Sequence, residues 1–255
     1  MDSFSTYIYE AAQQGFKYET NAATALKVLG VVPKSFTPAG TGSDQPDLMI
    51  QKDGIKAGCE LKITAASAGS LVMKYDSGKW SIGKENETDE EKLFIIDLAK
   101  EVGILNQINK TWRNEPIKGI GQSKKLKDEA SKLSKREKYQ RDLGLFKDIK
   151  GAIAASKIED YYNKKKTYYV NVGTHGFYLL GPKNPLSLKG IPRFGSSASA
   201  TYRARVQYKG KDNYQFTFEM QFLIPTNKKS PYNIAPVKSK TDVSISNLDL
   251  DWFIN

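Results

Sequence analysis

The segment 46–63, PDLMIQKDGIKAGCELKI, predicts a β-hairpin and constrains the fold more strongly than any other part of the chain. The Asp-Gly pair at 53–54 is typical of a two-residue turn between strands. A loop of those two residues places Asp47 directly opposite Glu60. Because side chains alternate along a strand, Lys62 shares the face of Glu60, while the apolar side chains point to the other face.

Opposed side chains in a hairpin have Cβ atoms roughly 4.5 to 5.5 Å apart, so two carboxylates in such positions repel each other unless a cation lies between them. A divalent metal ion would relieve the repulsion between Asp47 and Glu60. Hard oxygen ligands of this kind suit Mg²⁺, or alternatively Mn²⁺, better than zinc. The alternative is a solvated hairpin face on which Lys62 simply neutralises Glu60.

These residues also match a known pattern. Pro46-Asp47, followed after a short hairpin by Glu60-Leu61-Lys62, resembles the catalytic signature of the PD-(D/E)XK, or restriction-endonuclease-like, nuclease superfamily. The resemblance implies that Asp47 and Glu60 bind one or two Mg²⁺ ions and that Lys62 positions or activates the attacking water.

The same resemblance, which covers mainly residues 16–64, implies two further metal ligands. One is the backbone carbonyl of Leu61. The other is a glutamate from the helix that precedes the motif, for which Glu19 is the candidate.

The single cysteine and the single histidine exclude several classes of site. Cys59 excludes an intramolecular disulfide framework and a cysteine-rich zinc site, and its inward direction predicts a packed small side chain. His175 cannot form a multi-histidine metal centre, and the neighbouring Gly176 favours a turn. No apolar run approaches the roughly 18 to 20 residues of a membrane span, and the N-terminus lacks a signal-peptide pattern, so we expect a cytoplasmic protein.

The chain of 255 residues has a net charge of +11 and a pI near 9.4, which favours a nucleic-acid partner. The stretch 118–166 holds 15 Lys or Arg residues against 7 Asp or Glu residues and ends in Lys164, Lys165 and Lys166. A phosphate-tracking surface is one interpretation of this stretch, and a solvated helical face is the alternative.

The chain from Tyr168 onward predicts strands, among them a half-buried hairpin formed by TYRARVQY and YQFTFEMQF. Arg203, Arg205 and Gln207 share its polar face and would contact bases or phosphates, whereas a cross-strand pair between Glu219 and one arginine is the competing interpretation. Arg193, in the preceding Gly- and Pro-rich loop, is a further candidate for DNA contact.

Before the motif, the sequence predicts helix over 3–29 with a break near Gln14-Gly15 and an end at Gly30. After it, LVMKYDSGKWSIG predicts a strand and a turn that extend the central sheet. Residues 88–91 form a capping box at the start of a helix, and 104–114 predict another. The segment LDLDWFIN at the C-terminus predicts a final strand or a docking tail.

Together these features predict an α/β protein with a restriction-endonuclease-like core, in which helices flank a mixed central β-sheet. The predicted parts are the start of the core with the catalytic hairpin (1–85), a basic helical insertion (86–166) and a β-rich part that completes the DNA cleft (167–255).

The predicted function is Mg²⁺-dependent endonucleolytic hydrolysis of double-stranded DNA, specific for sequence or structure, by a homodimer if the target is palindromic. A recombination or repair nuclease, such as a junction resolvase or an exonuclease, and a non-enzymatic basic nucleic-acid-binding protein are the alternatives.

Overall fold

The described part of the chain consists of helices, two larger β-sheets and one two-stranded sheet, and it is mixed α/β as predicted. The computed structural model describes residues 3–38, 45–64, 67–76, 79–82, 90–111, 132–134, 137, 140–141, 144, 146–208, 214–239, 242–243 and 250–254. The described elements, in chain order, are α1 (Ser3–Val28), β1 (Leu48–Lys52), β2 (Ile55–Lys62), β3 (Ser67–Asp76), β4 (Lys79–Ile82), α2 (Glu90–Glu101), α3 (Ile104–Thr111), β5 (Ile149–Ile153), α4 (Ala155–Lys164), β6 (Thr167–Val172), β7 (Gly176–Leu179), α5 (Phe194–Ser197), β8 (Ser199–Tyr208), β9 (Tyr214–Leu223), a 3₁₀ turn (Thr226–Lys228), β10 (Val237–Ser239), β11 (Asp242–Val243) and α6 (Asp251–Ile254).

The chain forms two compact units, each assembled from three separate segments. We call them the hairpin unit (Tyr9–Ala66, Ala154–Ala200 and Phe222–Asn255) and the five-stranded unit (Met1–Ile8, Ser67–Ile153 and Thr201–Gln221). This division differs from the predicted sequential one, because the segments on either side of Ser67–Ile153 belong to the same unit.

The hairpin unit contains a four-stranded mixed sheet with the strand order β1-β2-β6-β7. The β1–β2 and β6–β7 pairs are antiparallel, whereas β2 and β6 run parallel. Parallel neighbours need a crossover connection, and α4 leads directly into β6 on this path. The residues after 166 therefore complete the sheet that carries the hairpin.

Helix α1 runs without interruption from Ser3 to Val28, so the predicted break near Gln14-Gly15 is wrong. A single glycine costs a helix only about 1 kcal/mol relative to alanine, too little to end one that is buried along a face. That face includes Tyr18, Ala22 and Leu26, each at most 1% exposed. The helix ends as predicted, with Gly30 in the left-handed region at a φ of 73°.

The strands β3 and β4 do not extend the sheet of the hairpin, which corrects the prediction for LVMKYDSGKWSIG. They lie in the second sheet, with the strand order β4-β3-β9-β8-β5, where β3 pairs with β9 in antiparallel register. In the sheet of the hairpin, the strand beside β2 is β6, which is distant in the sequence.

The five-stranded unit also contains α2 and α3, which confirms a helix beginning near 88–91 and one within the predicted 104–114. Residues 88–89 and 112–114 lie outside the described residues. The predicted basic helical insertion is wrong at 149–153, because Ile149–Ile153 is a strand at the edge of this sheet. Part of the insertion, including all of 112–131, lies outside the described residues.

The C-terminal segment ends in the short helix α6 instead of a strand. Phe253 is 1% exposed and belongs to the core beneath the hairpin, and Trp252 packs against that core, so the docking interpretation is the correct one. Among the described helices, none combines the length and the apolar character that a membrane crossing requires.

Candidate active site

The β1–β2 hairpin has the predicted register. Leu48 pairs with Cys59 and Lys52 pairs with Ile55 around the Asp53-Gly54 turn. Both turn residues have positive φ angles, 51° and 78°, which is the backbone of a type I′ turn. One face of the hairpin lies in the core with α1, as its apolar side chains predicted: Leu48, Ile50, Cys59 and Leu61 are all at most 2% exposed.

Asp47 directly precedes β1 and lies opposite Glu60 when this register is continued by one residue. Its Oδ2 accepts a hydrogen bond of 2.8 Å from the backbone N–H of Leu61, which fixes the carboxyl group against β2. The sequence therefore predicted correctly that these two carboxyl groups share one face of the hairpin.

A close contact between Pro46 and Gly58 sets the path of the chain into Asp47. A Cβ atom on Gly58 would lie 2.6 Å from the carbonyl oxygen of Lys166 and 3.0 Å from Cβ and Cγ of Pro46. Only glycine allows β2 to pass this closely beneath Pro46 and the start of β6.

Glu60 and Lys62 form a short ion pair at the end of β2. The Lys62 Nζ lies 2.5 Å from Oε1 of Glu60, and the two side chains are 21% and 7% exposed, respectively. The second carboxylate oxygen of Glu60, Oε2, is buried and has no hydrogen-bond partner among the described residues. A buried carboxylate oxygen without a donor or a cation is costly, so this atom marks a place where a ligand would be stabilising.

Burial and a neighbouring carboxylate raise the pKa of Asp47. Burial and the nearby charge of Glu60 raise the pKa of the Asp47 carboxyl from 3.8 to about 8, against the opposing influences of Lys62 and the Leu61 amide. At neutral pH the side chain is therefore mostly protonated unless a cation compensates the charge. Lys62 remains charged: burial of its ammonium lowers its pKa, but Glu60, Tyr162 and Asp47 outweigh this effect and raise the pKa well above its usual value.

Glu19 belongs to the same electrostatic group. Burial raises the pKa of Glu19, Lys62 lowers it and Glu60 raises it, which places the carboxyl within the influence of the hairpin residues. The adjacent Tyr18 holds this part of α1 in position, because its hydroxyl donates a 2.6 Å hydrogen bond to the carbonyl of Ala235. Glu19 is half-buried, and its role as a metal ligand stays a prediction.

Tyr162 is a member of the site that the sequence did not indicate. Its ring is fully buried in α4, and burial, the charge of Glu60 and a hydrogen bond with Glu60 raise the pKa of its hydroxyl well above the usual value. Apolar side chains at 158, 161 and 162 predict a buried face of α4. They do not reveal that this face covers Glu60, which is about a hundred residues away in the chain.

The donor set suits a hard divalent cation. Among the described residues, no three acidic, histidine or cysteine side chains are grouped closely enough to form a ready-made metal site. The ion pair with Lys62 already engages one oxygen of Glu60, and Asp47 is engaged by Leu61. The unpartnered Oε2 of Glu60 and the raised pKa of Asp47 nevertheless fit a cation that would stabilise both carboxylates.

The arginines predicted to contact DNA are engaged by carboxylates. Arg203 forms a close ion pair with Glu219, and Arg205 Nη2 lies 3.1 Å from Oδ2 of Asp148. The cross-strand interpretation of the β8–β9 hairpin is therefore the one observed. These residues belong to the five-stranded unit.

In the hairpin unit, Arg193 lies 3.4 Å from Oε2 of the buried Glu159, although its side chain is 52% exposed. Lys164 and Lys166 are exposed at the end of α4, and Lys165 is half-buried over the ring of Tyr161. Gln207 lies in β8, and its side chain is outside the described part of the structure. DNA contact by these residues stays a prediction.

Comparison of the chain with protein-family models, with curated proteins and with solved structures finds no match in any of the three. The interpretation of the site therefore depends on its own residues and geometry.

Proposed function

We propose that the protein is a metal-dependent endonuclease that hydrolyses phosphodiester bonds in double-stranded DNA, with a restriction-endonuclease-like core of the PD-(D/E)XK type. The observation that carries this proposal is the opposition of Asp47 and Glu60 across the hairpin, with Lys62 bound to Glu60 at 2.5 Å. The mixed four-stranded sheet that carries these residues also supports the proposal.

Asp47 and Glu60 would hold the divalent cation, with Glu19 and the backbone carbonyl of Leu61 as further ligands. Mg²⁺ is the expected ion and Mn²⁺ is a suitable substitute, because both prefer oxygen ligands. When bound, the cation supplies the Lewis acidity that phosphodiester hydrolysis requires.

Lys62 would orient the attacking water and stabilise the negative charge that develops on the phosphate. Its ammonium has three donors, and Glu60 engages one of them, so the others remain for water and substrate. The side chain is 21% exposed, which gives solvent access to an amine that Glu60 holds in place.

The net charge of +11 supports a polyanionic substrate, and phosphodiester chemistry at a carboxylate site points to the same substrate class. We expect internal cleavage of duplex DNA.

The decisive experiment is incubation of the purified chain with closed circular plasmid in Mg²⁺, in Mn²⁺ and in EDTA, followed by sequencing of the product ends. We expect nicking or linearisation that requires the metal ion. Asp47→Asn, Glu60→Gln and Lys62→Gln should each lower the rate at least about 100-fold, the scale seen when one group of a preorganised site is removed. Asp160→Asn and Lys34→Gln change exposed residues of the same unit and should leave the rate unchanged.

Cleavage of the closed circle separates an endonuclease from an obligate exonuclease. Plasmid binding without cleavage in either metal ion would favour the non-enzymatic nucleic-acid-binding protein. Full activity of folded Asp47→Asn or Glu60→Gln protein would overturn the proposed site.

A further inference from the structure

The turn between β6 and β7 lies at the edge of the sheet where the candidate active site is found. The backbone N–H of Gly173 donates a 2.7 Å hydrogen bond to the carbonyl of Lys62, and the N–H of Thr174 donates a 3.2 Å bond to the carbonyl of Ile63. The 173–175 turn is therefore attached to the strand end that carries Lys62.

The same turn is anchored from the face of the sheet on which Glu60 lies. Glu60 pairs with Val170, and Val170 pairs with Tyr178, so the side chains of this row share one face. The hydroxyl of Tyr178 lies 2.7 Å from the carbonyl oxygen of His175 and 3.1 Å from that of Lys228. Tyr178 thus holds the turn and the lysine-bearing segment together beside the Glu60 face.

A close backbone approach makes this arrangement rigid. Gly176 has a φ of 101°, and a Cβ atom there would lie 2.5 Å from the carbonyl oxygen of Tyr232 and 2.7 Å from that of Ser230. The N–H of Ser230 in turn donates a 2.9 Å hydrogen bond to the carbonyl of His175. A rigid support lowers the ordering cost of any ligand that the turn binds.

The turn and the neighbouring segment before Ser230 carry polar and charged side chains that reach solvent. Thr174, Lys228 and Lys229 are exposed, and His175 is half-buried. Thr174 Oγ1 lies 2.7 Å from Nδ1 of His175. If the hydroxyl donates to Nδ1, the imidazole proton lies on Nε2 and is available as a donor. Burial and the charge of Lys229 lower the pKa of His175, which favours this neutral form.

Lys228 and Lys229 differ in their ion pairing from the three arginines described in the candidate active site. Within the described part of the chain, no carboxylate forms an ion pair with Lys228 or Lys229, whereas Arg193, Arg203 and Arg205 are all paired. A cation without a carboxylate partner can neutralise a phosphate without first breaking an ion pair.

We propose that Thr174, His175 and Lys229, which we call the turn cluster, form a phosphate-binding subsite for the DNA backbone next to the phosphodiester that is cut. The Thr174 hydroxyl uses its one proton on Nδ1 and so orients the ring. The imidazole N–H and the Lys229 ammonium then provide one neutral donor and one charge, a set that suits a phosphodiester oxygen pair. This inference rests on the proposed function for the identity of the ligand.

The test compares wild-type protein with Lys229→Gln and His175→Ala, with Lys34→Gln as the matched control for loss of one exposed charge. Binding of a fluorescent duplex is measured by anisotropy over a salt series in Ca²⁺, and plasmid cleavage is measured separately in Mg²⁺. We expect each turn-cluster variant to weaken duplex binding about tenfold. Lys229→Gln should also reduce the slope of log Kd against log salt by about one. In cleavage, KM should rise by a similar factor while kcat changes less than about twofold.

The subsite would be overturned if Lys229→Gln and His175→Ala both bound the duplex with the affinity of Lys34→Gln and with the same slope of log Kd against log salt. If wild-type protein cleaves plasmid while this result is obtained, the proposed function stands and only the subsite fails. If binding depends on the turn cluster but no cleavage occurs, the subsite stands and the nuclease proposal fails. Circular dichroism of each variant verifies that the fold is intact.

Discussion

Asp47 is the residue on which the chemistry of the site depends most, because its ionisation and cation binding are linked. With a pKa of about 8, the folded chain retains a proton on Asp47 at pH values where the unfolded chain has already lost it. Cation binding favours the ionised form and therefore competes with this proton.

The first prediction concerns stability in EDTA as a function of pH. The pKa of Asp47 is raised from 3.8 in the reference state to about 8 in the fold, so between these values the native state binds more protons. The free energy of unfolding should then fall as pH rises from about 4 to about 8, by on the order of 5 kcal/mol from this group. Urea denaturation at several pH values measures this change in the free energy of unfolding.

Asp47→Asn is the control, because it keeps the shape and removes the titration. Its stability in EDTA should be higher than that of the wild type at pH 8, and the difference should vanish toward pH 4. A wild-type stability that rises over this interval, with no effect of Asp47→Asn on the slope, contradicts the assignment.

Tyr162 provides a second prediction at the residue scale. Tyr162→Phe removes the hydroxyl that hydrogen-bonds to Glu60 and leaves the ring in place. We expect a loss of about 1 to 2 kcal/mol in the free energy of unfolding, since the buried carboxylate loses a donor. We also expect cleavage by the Tyr162→Phe variant to require a higher Mg²⁺ concentration than cleavage by the wild type. Tyr168→Phe, at a half-buried position, is the control for loss of a phenol, and equal behaviour of the two variants contradicts the role of Tyr162.

At the scale of elements, the hairpin is the part of the fold that sequence predicts best. Its register follows from local chemistry, because an Asp-Gly turn and alternating side chains determine which residues pair. Asp47, Glu60 and Lys62 were therefore identified from the sequence as neighbours. The partner strand β6 could not be identified in the same way, since it lies about a hundred residues downstream and no local signal selects it over β3.

A third prediction tests how β2 positions the site. Gly58→Ala would bring its new methyl group to 2.6 Å from the Lys166 carbonyl oxygen and to 3.0 Å from Pro46. We expect a loss of about 1 to 3 kcal/mol in stability, as for other overpacked sites, together with reduced cleavage because Pro46 precedes Asp47. Thermal denaturation and the plasmid assay measure the two effects.

Gly144→Ala is the matched control, because a Cβ atom there has no neighbour within 4 Å. It should leave both stability and cleavage close to those of the wild type. Gly58→Ala protein that matches this control in both assays would show that the close approach of Pro46 does not determine the geometry of the site.

At the scale of the whole molecule, net charge predicts the kind of partner but not which cations contact it. The β8–β9 hairpin shows why: alternation placed Arg203 and Arg205 on a polar face, but their carboxylate partner Asp148 comes from a segment that no local pattern connects to this hairpin. The place of Lys229 near His175 could not be predicted for a related reason, because tertiary contacts alone bring the two segments together.

The division into two units could not be predicted for the same reason, because each unit is assembled from segments that are distant in the sequence. Ser67–Ile153 separates β2 from the crossover helix α4, and the hairpin unit is completed by segments that follow it. Boundaries at residues 85 and 166 follow changes in composition, whereas the observed units follow packing, which composition does not report.

If Asp47 and Glu60 together bind a divalent cation, isothermal titration with Mn²⁺ at pH 7 will detect the binding. Titration in buffers of different ionisation enthalpy counts the protons released. We expect wild-type protein to bind Mn²⁺ with release of nearly one proton, because the pKa of Asp47 is about 8 in the metal-free state. Binding should be lost in Asp47→Asn and Glu60→Gln and kept in Asp160→Asn. Wild-type protein that binds no Mn²⁺, or folded Asp47→Asn and Glu60→Gln variants that bind it unchanged, would show that these two carboxylates do not form a metal site.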